Sequence, residues 1–400
     1  MQAADAGSTS ESFPVLDPLR QEQARAYARQ RRKLRGLETA AGFLYFLVWM
    51  GGGLSLSVRR AAESLLESLP GPGSDAWWAA VLVMAVILTV PWLILTFPLD
   101  LYAGYVLPHR FKQSTQALSD WIADHSKVLA ISAALAAPLL VGLYGLIRSF
   151  PSRWWLFAAV GYTGVNIVLA ALSPVVLMPL FYKSEPLEVN HSDLSARLMA
   201  LAGRARAHVA GVYRFDMSRR TRAANALLVG IGRTRRILLA DTLLEEFTPD
   251  EIETILAHEL AHQKHRDIPV SIALQALLAV ALFFIVDIGL GASLKTFSLA
   301  GKADPAGLPL MALLFGGSGM LVLPFFAAFS RRREARADDL ALRLTGKPQA
   351  FASALIRLAN LNLVEIEPRG LFGRLAQTHP SLRGRIEKAT RAASALPSPG

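Results

Sequence analysis

Residues 248–286 read TPDEIETILAHELAHQKHRDIPVSIALQALLAVALFFIV. The first half is a helix with a well-marked start. Thr248 can cap it, Pro249 suits its first turn, and Glu251 completes a capping box. Ile252, Ile255, Leu256 and Leu260 supply an apolar face. His258 and His262 stand one turn apart, so both imidazoles leave the same side and can grip one metal ion. Glu259 is rotated from them by about 100°. It cannot be a third ligand beside them, but it can reach a water in an open coordination position and take its proton. His265 falls on the same face, yet roughly 10 Å of axial rise separates it from His258. It reads as a solvated residue or one that touches the ligands from outside. The second half, Ile268–Val286, holds no Asp, Glu, Lys or Arg and is long enough to cross a bilayer.

Five other stretches share that character: Thr39–Val58, Ala76–Phe97, Val128–Ile147, Trp154–Tyr182 and Ala306–Phe329. The fourth span in chain order, Trp154–Tyr182, is too long for one vertical helix. Its tail from Pro174 carries two prolines and is expected to leave the bilayer or run along its surface. Composition agrees: 52% of the 400 residues are apolar and only 18% are charged, against about a quarter charged in a soluble chain. The chain has no cysteine. Disulfide scaffolds, thiolate zinc sites, iron–sulfur clusters and cysteine nucleophiles are therefore excluded, and any metal must be held by His, Asp or Glu.

The net charge of +11 is a topology signal. Of 42 Lys and Arg, external loops of a six-span chain hold only Arg59, Arg60, Arg148, Arg153, Lys295 and Lys302. Clusters at Arg20–Arg35 and Arg331–Arg333 abut spans. Both termini and the large fourth loop are thus expected in the cytoplasm, and no nucleic-acid partner is expected.

The sequence divides into a basic N-terminal segment (1–36), a four-span region (37–182), an insertion (183–267), a transmembrane hairpin (268–329) and a C-terminal piece (330–400). Neither extramembrane piece can enclose much of a core alone, so the two are expected to pack as one domain. Within it, Ser195–Val209 reads as an amphipathic helix and Val212–Asp216 as a short strand. Ala223–Gly230 and Arg235–Ala240 read as a β-hairpin around a Gly-Arg-Thr-Arg turn. Residues 1–18 and the Pro-Ser-Pro-Gly end read as disordered.

A catalytic zinc takes three protein ligands and a water. The candidate third ligand is Glu334, in Arg333-Glu334-Ala335-Arg336-Ala337-Asp338-Asp339, a segment that begins as span six ends and reads as helix through Leu344, stopped by Gly346. Glu334 and Asp338 share a helix face. Asp338 is expected to orient a histidine ligand or assist proton transfer. The hairpin of spans five and six brings residues 258–267 and 330–338 to one face of the bilayer.

These residues resemble a known family. His258-Glu259-x-x-His262, followed by Glu334-x-x-Ala337-Asp338, is similar to the membrane gluzincins of the type I CAAX prenyl endopeptidase group. Pro179-Leu180-Phe181-Tyr182 with Pro186-Leu187, Tyr105 through Trp121, Asn225-Ala226 leading to Arg236–Leu244, and Thr378-His379-Pro380-Ser381 with Arg385-Ile386 add to the likeness. It covers roughly residues 20 to 390. The resemblance implies a polytopic α-helical membrane protein of about six spans with a cytoplasmic α+β gluzincin-type metallopeptidase domain, whose spans surround a large chamber. It implies one Zn2+ per chain on His258, His262 and Glu334, Glu259 as base and Asp338 as proton donor. His379 would lie in the site near the oxyanion. Asn225 and Ala226 would lie on an edge strand that takes the substrate backbone, and Arg385 would hold the substrate end or its neighbours. The family's eukaryotic members have seven spans, and this chain reads as a six-span version. Its Ala- and Arg-rich composition resembles a bacterial homologue, placed in the inner membrane, with peptide or protein substrates, the lipid bilayer and no obligate protein partner.

The nearest rival is a heat-shock-type quality-control protease of the same superfamily, against which four spans before the motif helix argue. A rival of another class is a non-catalytic scaffold or transporter that retains a zinc site. Transporters place charged groups within spans; here Asn166 and Gln275 are the few strongly polar residues inside.

Overall fold

The computed structural model describes residues 14–68, 76–230, 235–367 and 377–395. Five helices are long and apolar enough to cross a membrane: Trp77–Arg110, Leu118–Ser149, Trp154–Leu180, Asp267–Ser293 and Pro305–Thr345. A sixth candidate is a bent pair, Pro18–Gly51 and Leu54–Ser68, at 68° to each other. The expected first span, Thr39–Val58, is therefore not one straight helix. Gly51-Gly52-Gly53 interrupts it, and Gly53 takes a left-handed φ of 64° that a side chain would resist. The outer faces of these helices present large apolar side chains: Ile94, Val160, Leu277, Leu321 and Phe325 are each more than 60% exposed. Such a surface is stable only against lipid. The fourth span changes character near its prolines as expected: regular helix ends at Leu172, and a π-turn over Ser173–Leu177 and a 3-10 turn over Met178–Leu180 follow.

At the end of the spans remote from the motif helix, polar groups lock the bundle. Asp287 receives hydrogen bonds from Trp154 Nε1 and Lys302 Nζ, both at 2.5 Å. Arg59 reaches Asp304 at 2.8 Å. Asn166 satisfies itself on the Tyr162 carbonyl of its own helix.

The other end carries a four-stranded sheet in the order β1-β2-β4-β3. β1 (Ser184–Pro186) runs antiparallel to β2 (Val212–Phe215), β2 parallel to β4 (Arg236–Ala240), and β3 (Ala226–Val229) antiparallel to β4, with Ala226 opposite Leu239. β4 is central because Ile237, Leu238, Leu239 and Ala240 are all buried. The hairpin is present, shorter than read; its turn, and the Pro-Ser-Pro-Gly end, lie outside the described residues. The amphipathic helix spans Ser192–Arg204, ending before Val209. One core joins the pieces before and after the last hairpin: Leu198, Leu239, Leu256 and Ala257 pack in one cluster with Ala341, Phe351, Leu355 and Ala389. Residues 15–17, expected to be disordered, are held: Asn360 donates to the Val15 carbonyl and accepts from the Asp17 amide.

Glu253 ties three elements of this domain. Its carboxylate, buried on the motif helix, receives Arg197, Arg204 and Lys347 at 2.5–2.9 Å. Burial alone would raise its pKa, but hydrogen bonds from Lys347 and Arg197 outweigh that and hold it below the usual carboxylate range. Its stabilisation is present above the unfolded value of 4.5 and is lost as pH falls through the lower folded value. Glu253→Gln is expected to cost about 1–3 kcal/mol at neutral pH. In thermal melts of the detergent-solubilised protein, the gap to wild type should be flat above that unfolded value and close below it.

Candidate metal centre

The motif helix, Pro249–Lys264, starts as its sequence dictates: the Thr248 hydroxyl accepts from the Glu251 amide and the Glu251 carboxylate accepts from the Thr248 amide. Arg357 donates to the same carboxylate at 2.9 Å, which pins the helix to the C-terminal piece. Beside it lies the long helix Leu308–Thr345. Span six and the expected ligand helix are thus one continuous helix, ended at Gly346 with φ 65°. Ala257 and Ala261 on one helix, and Ala337 and Ala341 on the other, are fully buried. Side chains no larger than a methyl let the two backbones approach, and Ala261 packs in one cluster with Ala337.

That approach gathers His258, His262 and Glu334, whose candidate ligand atoms all lie within 4.8 Å of one another. His258 Nε2 is 3.3 Å from His262 Nε2 and 3.2 Å from Glu334 Oε2, and His262 Nε2 is 3.6 Å from Glu334 Oε1. Ligand atoms in a tetrahedral shell at zinc-like bond lengths stand about 3.3 Å apart. The donor set fits such an ion. Glu334 Oε2 is buried and makes no hydrogen bond of good geometry, although the His258 and His379 rings lie close by. His265 caps the motif helix and stands outside this group.

Each histidine is steered from behind by a carboxylate. Asp338 Oδ1 lies 2.9 Å from His258 Nδ1, and Asp267 Oδ2 lies 2.7 Å from His262 Nδ1. The proton therefore sits on Nδ1, and Nε2 is free to donate its lone pair to a metal. Asp338 is itself gripped by Arg385 through two hydrogen bonds of 2.8 and 2.7 Å. Asp267 is gripped by the buried Arg333. Asp267 was missed from the sequence. The available signal was an acidic residue opening an otherwise apolar span, a place where an unpaired carboxylate is costly.

On the open side lies a cavity of about 380 Å³. His258, Glu259, His379 and Arg385 line one part of it, and Leu243, Ile255, Phe351, Leu355 and Leu358 make its apolar wall. Burial raises the Glu259 carboxyl above its usual range, which the neighbouring histidines oppose. His379, more than half exposed, approaches Glu334 Oε2 at 2.8 Å. Asn225 and Ala226 also face this cavity. Ala226 begins β3, one of the two edge strands of the sheet, and Asn362 fixes the chain just before it: its amide accepts from Ala224 N at 2.8 Å and donates to Ala224 O at 3.0 Å. The residues singled out in the sequence thus lie close together, with His258, Glu259, His379, Asn225, Ala226 and Arg385 on the cavity wall, His262 and Glu334 beside it, and Asp338 behind His258.

Two family models match consecutive stretches of the chain. One, described as CAAX prenyl protease N-terminal, five membrane helices, matches residues 10–183; the other, Peptidase family M48, matches residues 188–393. The chain belongs to peptidase family M48. This M48 chain is 28% identical over 393 residues to the uncharacterized metalloprotease YhfN of Bacillus subtilis, covering 96% of this chain and 89% of that one. It is 29% identical to CAAX prenyl protease 1 of Saccharomyces cerevisiae, over 72% of this chain and 67% of the relative. It is 32% identical to Protease HtpX of Legionella pneumophila, over 64% of this chain and 86% of the relative. The crystal structure of S. mikatae Ste24p shares the fold, with a TM-score of 0.81 at 24% identity, covering 96% of this chain and 92% of that one. The M48 chain is a multi-pass membrane metalloendopeptidase that acts on peptide or protein substrates.

The carboxylate behind His262 gives a direct test. Asp267→Asn keeps the shape but removes the charge that orients the ring. Metal affinity, read by competition with a chromogenic chelator, is expected to fall about 10–100-fold.

Proposed function

We propose that this M48 chain is a zinc-dependent endopeptidase working at the cytoplasmic face of a bacterial inner membrane. The observation that carries the zinc assignment is the convergence of His258 Nε2 and His262 Nε2, 3.3 Å apart, on the Glu334 carboxylate, whose two oxygens lie 3.2 and 3.6 Å from them. Two imidazoles and a carboxylate in that arrangement, with His258 and Glu259 lining the adjoining cavity, suit zinc over a hard, six-coordinate cation. Zinc, when bound, supplies Lewis-acid activation of a water and of the scissile carbonyl.

The residues of this chain do the rest. Glu259 takes a proton from the attacking water and passes it to the leaving amine. A carboxyl raised by burial is better matched to that exchange than an ordinary one. His379 faces the same cavity and hydrogen-bonds the developing oxyanion. Asp338 and Arg385 act together as positioning residues, since both carboxylate oxygens of Asp338 are committed to Arg385 and one of them also to His258. β3 offers its unpaired edge at Ala226 to the backbone of an extended substrate, with Asn225 at the entrance; main-chain pairing of this kind holds a peptide without requiring one side chain. The apolar wall from Leu243 to Leu358 receives a large aliphatic or aromatic side chain beside the cleaved bond. The cytoplasmic placement rests on the Lys and Arg distribution, and the inner-membrane placement on composition.

The test is cleavage and metal content measured side by side, with an unlipidated unfolded protein and a farnesylated CAAX-type peptide as substrates. Glu259→Gln is expected to keep stoichiometric zinc and lose about 10²–10⁴-fold in turnover. His258→Ala and Glu334→Ala are expected to lose zinc. Near-normal turnover by Glu259→Gln would sink the assignment of the base.

A further inference from the structure

Behind His262, on the side away from the substrate cavity, lies a second cavity of about 520 Å³. It opens where the motif helix ends and span five begins. Four cations line it, Arg206, Arg235, Lys264 and Arg266, with one carboxylate, Asp267. The charge of Asp267 is already committed to Arg333 and His262. The four cations are not. Among the described residues none of them has an ion-pair partner, whereas Arg197, Arg204 and Lys347 nearby all converge on Glu253. Arg235 Nε is buried and lacks a hydrogen-bond partner, as does Gln263 Oε1 on the same wall. Like charges crowded around a concave surface repel one another unless an anion joins them.

The backbone adds to this. The helix Asp267–Ser293 starts at the cavity, and no side chain caps its N-terminus. Its first amides and the positive end of its dipole therefore face the same space. Arg266, the residue before it, holds a left-handed φ of 54°, and Arg206 across the cavity holds one of 55°. The position relative to the bilayer is fixed by the same helix: Ile268 and Val270, one turn into it, are 41% and 45% exposed and apolar. The cavity mouth thus adjoins the end of the apolar, lipid-facing surface of span five.

We propose that this cavity binds the phosphate group of an anionic phospholipid from the adjoining leaflet, held by Arg206, Lys264, Arg266 and Arg235 together with the N-terminus of span five. The site is separate from the substrate cavity: His262 and Asp267 line it and do not line the other.

The experiment uses the full chain in nanodiscs of phosphatidylcholine with a minority of phosphatidylglycerol, followed by native mass spectrometry of the retained lipid. Wild type is expected to carry phosphatidylglycerol in excess of its share of the bilayer. Arg206→Gln/Arg266→Gln should weaken that retention by about thirtyfold, from the loss of two cations at the membrane surface. Arg343→Gln/Arg391→Gln, with the same change in net charge at exposed positions elsewhere, should retain it. Equal retention by the cavity variant, or equal loss in both variants, overturns the site. Saturable binding of inorganic phosphate that displaces the retained phosphatidylglycerol from the nanodisc-held protein would overturn the lipid assignment in favour of a free anion. Metal content and a monodisperse elution profile establish folding. Should the double variant fail them, Arg235→Gln/Lys264→Gln asks the same question with the same outcomes.

Discussion

Everything at this site depends on how closely the motif helix Pro249–Lys264 and the long helix Leu308–Thr345 can approach. His258 and His262 come from one, Glu334 and Asp338 from the other, and no local preference of either helix places them together. Ala261 and Ala337 pack together where the helices meet, and Ala257 and Ala341, one turn away on each helix, are likewise fully buried. A larger side chain at any of these positions would separate the helices by a fraction of its own size, and the 3.2–3.6 Å separations between the two imidazoles and the Glu334 carboxylate tolerate little of that. The alanines are thus as much a part of the metal centre as its ligands.

The second constraint is that the long helix is continuous. It begins within the bilayer region, passes through Phe325 on the apolar surface, and carries Arg333, Glu334 and Asp338 on the same rigid rod before stopping at Gly346. Arg333 bonds Asp267 at the start of span five, so the two helices of the hairpin are clamped where they leave the membrane. The clamp, the histidine it steers and the ligand next to it are neighbours in space. A metallopeptidase domain that rested on its spans through a flexible joint could not hold these distances. This one is built from the ends of the spans themselves.

Polar satisfaction around the site follows a consistent logic. Each imidazole has one nitrogen turned to the metal position and the other held by a carboxylate, and each carboxylate is in turn held by an arginine, Asp338 by Arg385 and Asp267 by Arg333. Buried charges arranged in alternation compensate each other's desolvation, which isolated ones could not. The cavity behind His262 departs from that alternation, with four cations and, among the described residues, no free carboxylate.

The sequence by itself determined the membrane spans, because an uncharged apolar run of about twenty residues has no other stable place. It determined the start of the motif helix, because Thr248, Pro249 and Glu251 satisfy its first amides locally. It determined that His258 and His262 share a face, because that is a matter of helical period alone. Glu334 was legible as a candidate from its place after span six, and His379, Asn225 and Arg385 from a resemblance. Only the tertiary structure decided that Glu334 meets the histidines, that Asp338 stands behind His258 in the grip of Arg385, and that Asp267 supports His262. It also decided that Gly51–Gly53 bends the first span and that Asn362 fixes the approach to β3. The physical reason for most of these is that they are pairings between groups up to 138 residues apart, whose geometry is set by packing of elements that no local rule orients. Asp267 and the glycine bend are local, but the one depends on the turn between two helices and the other on a backbone choice that glycine permits without dictating.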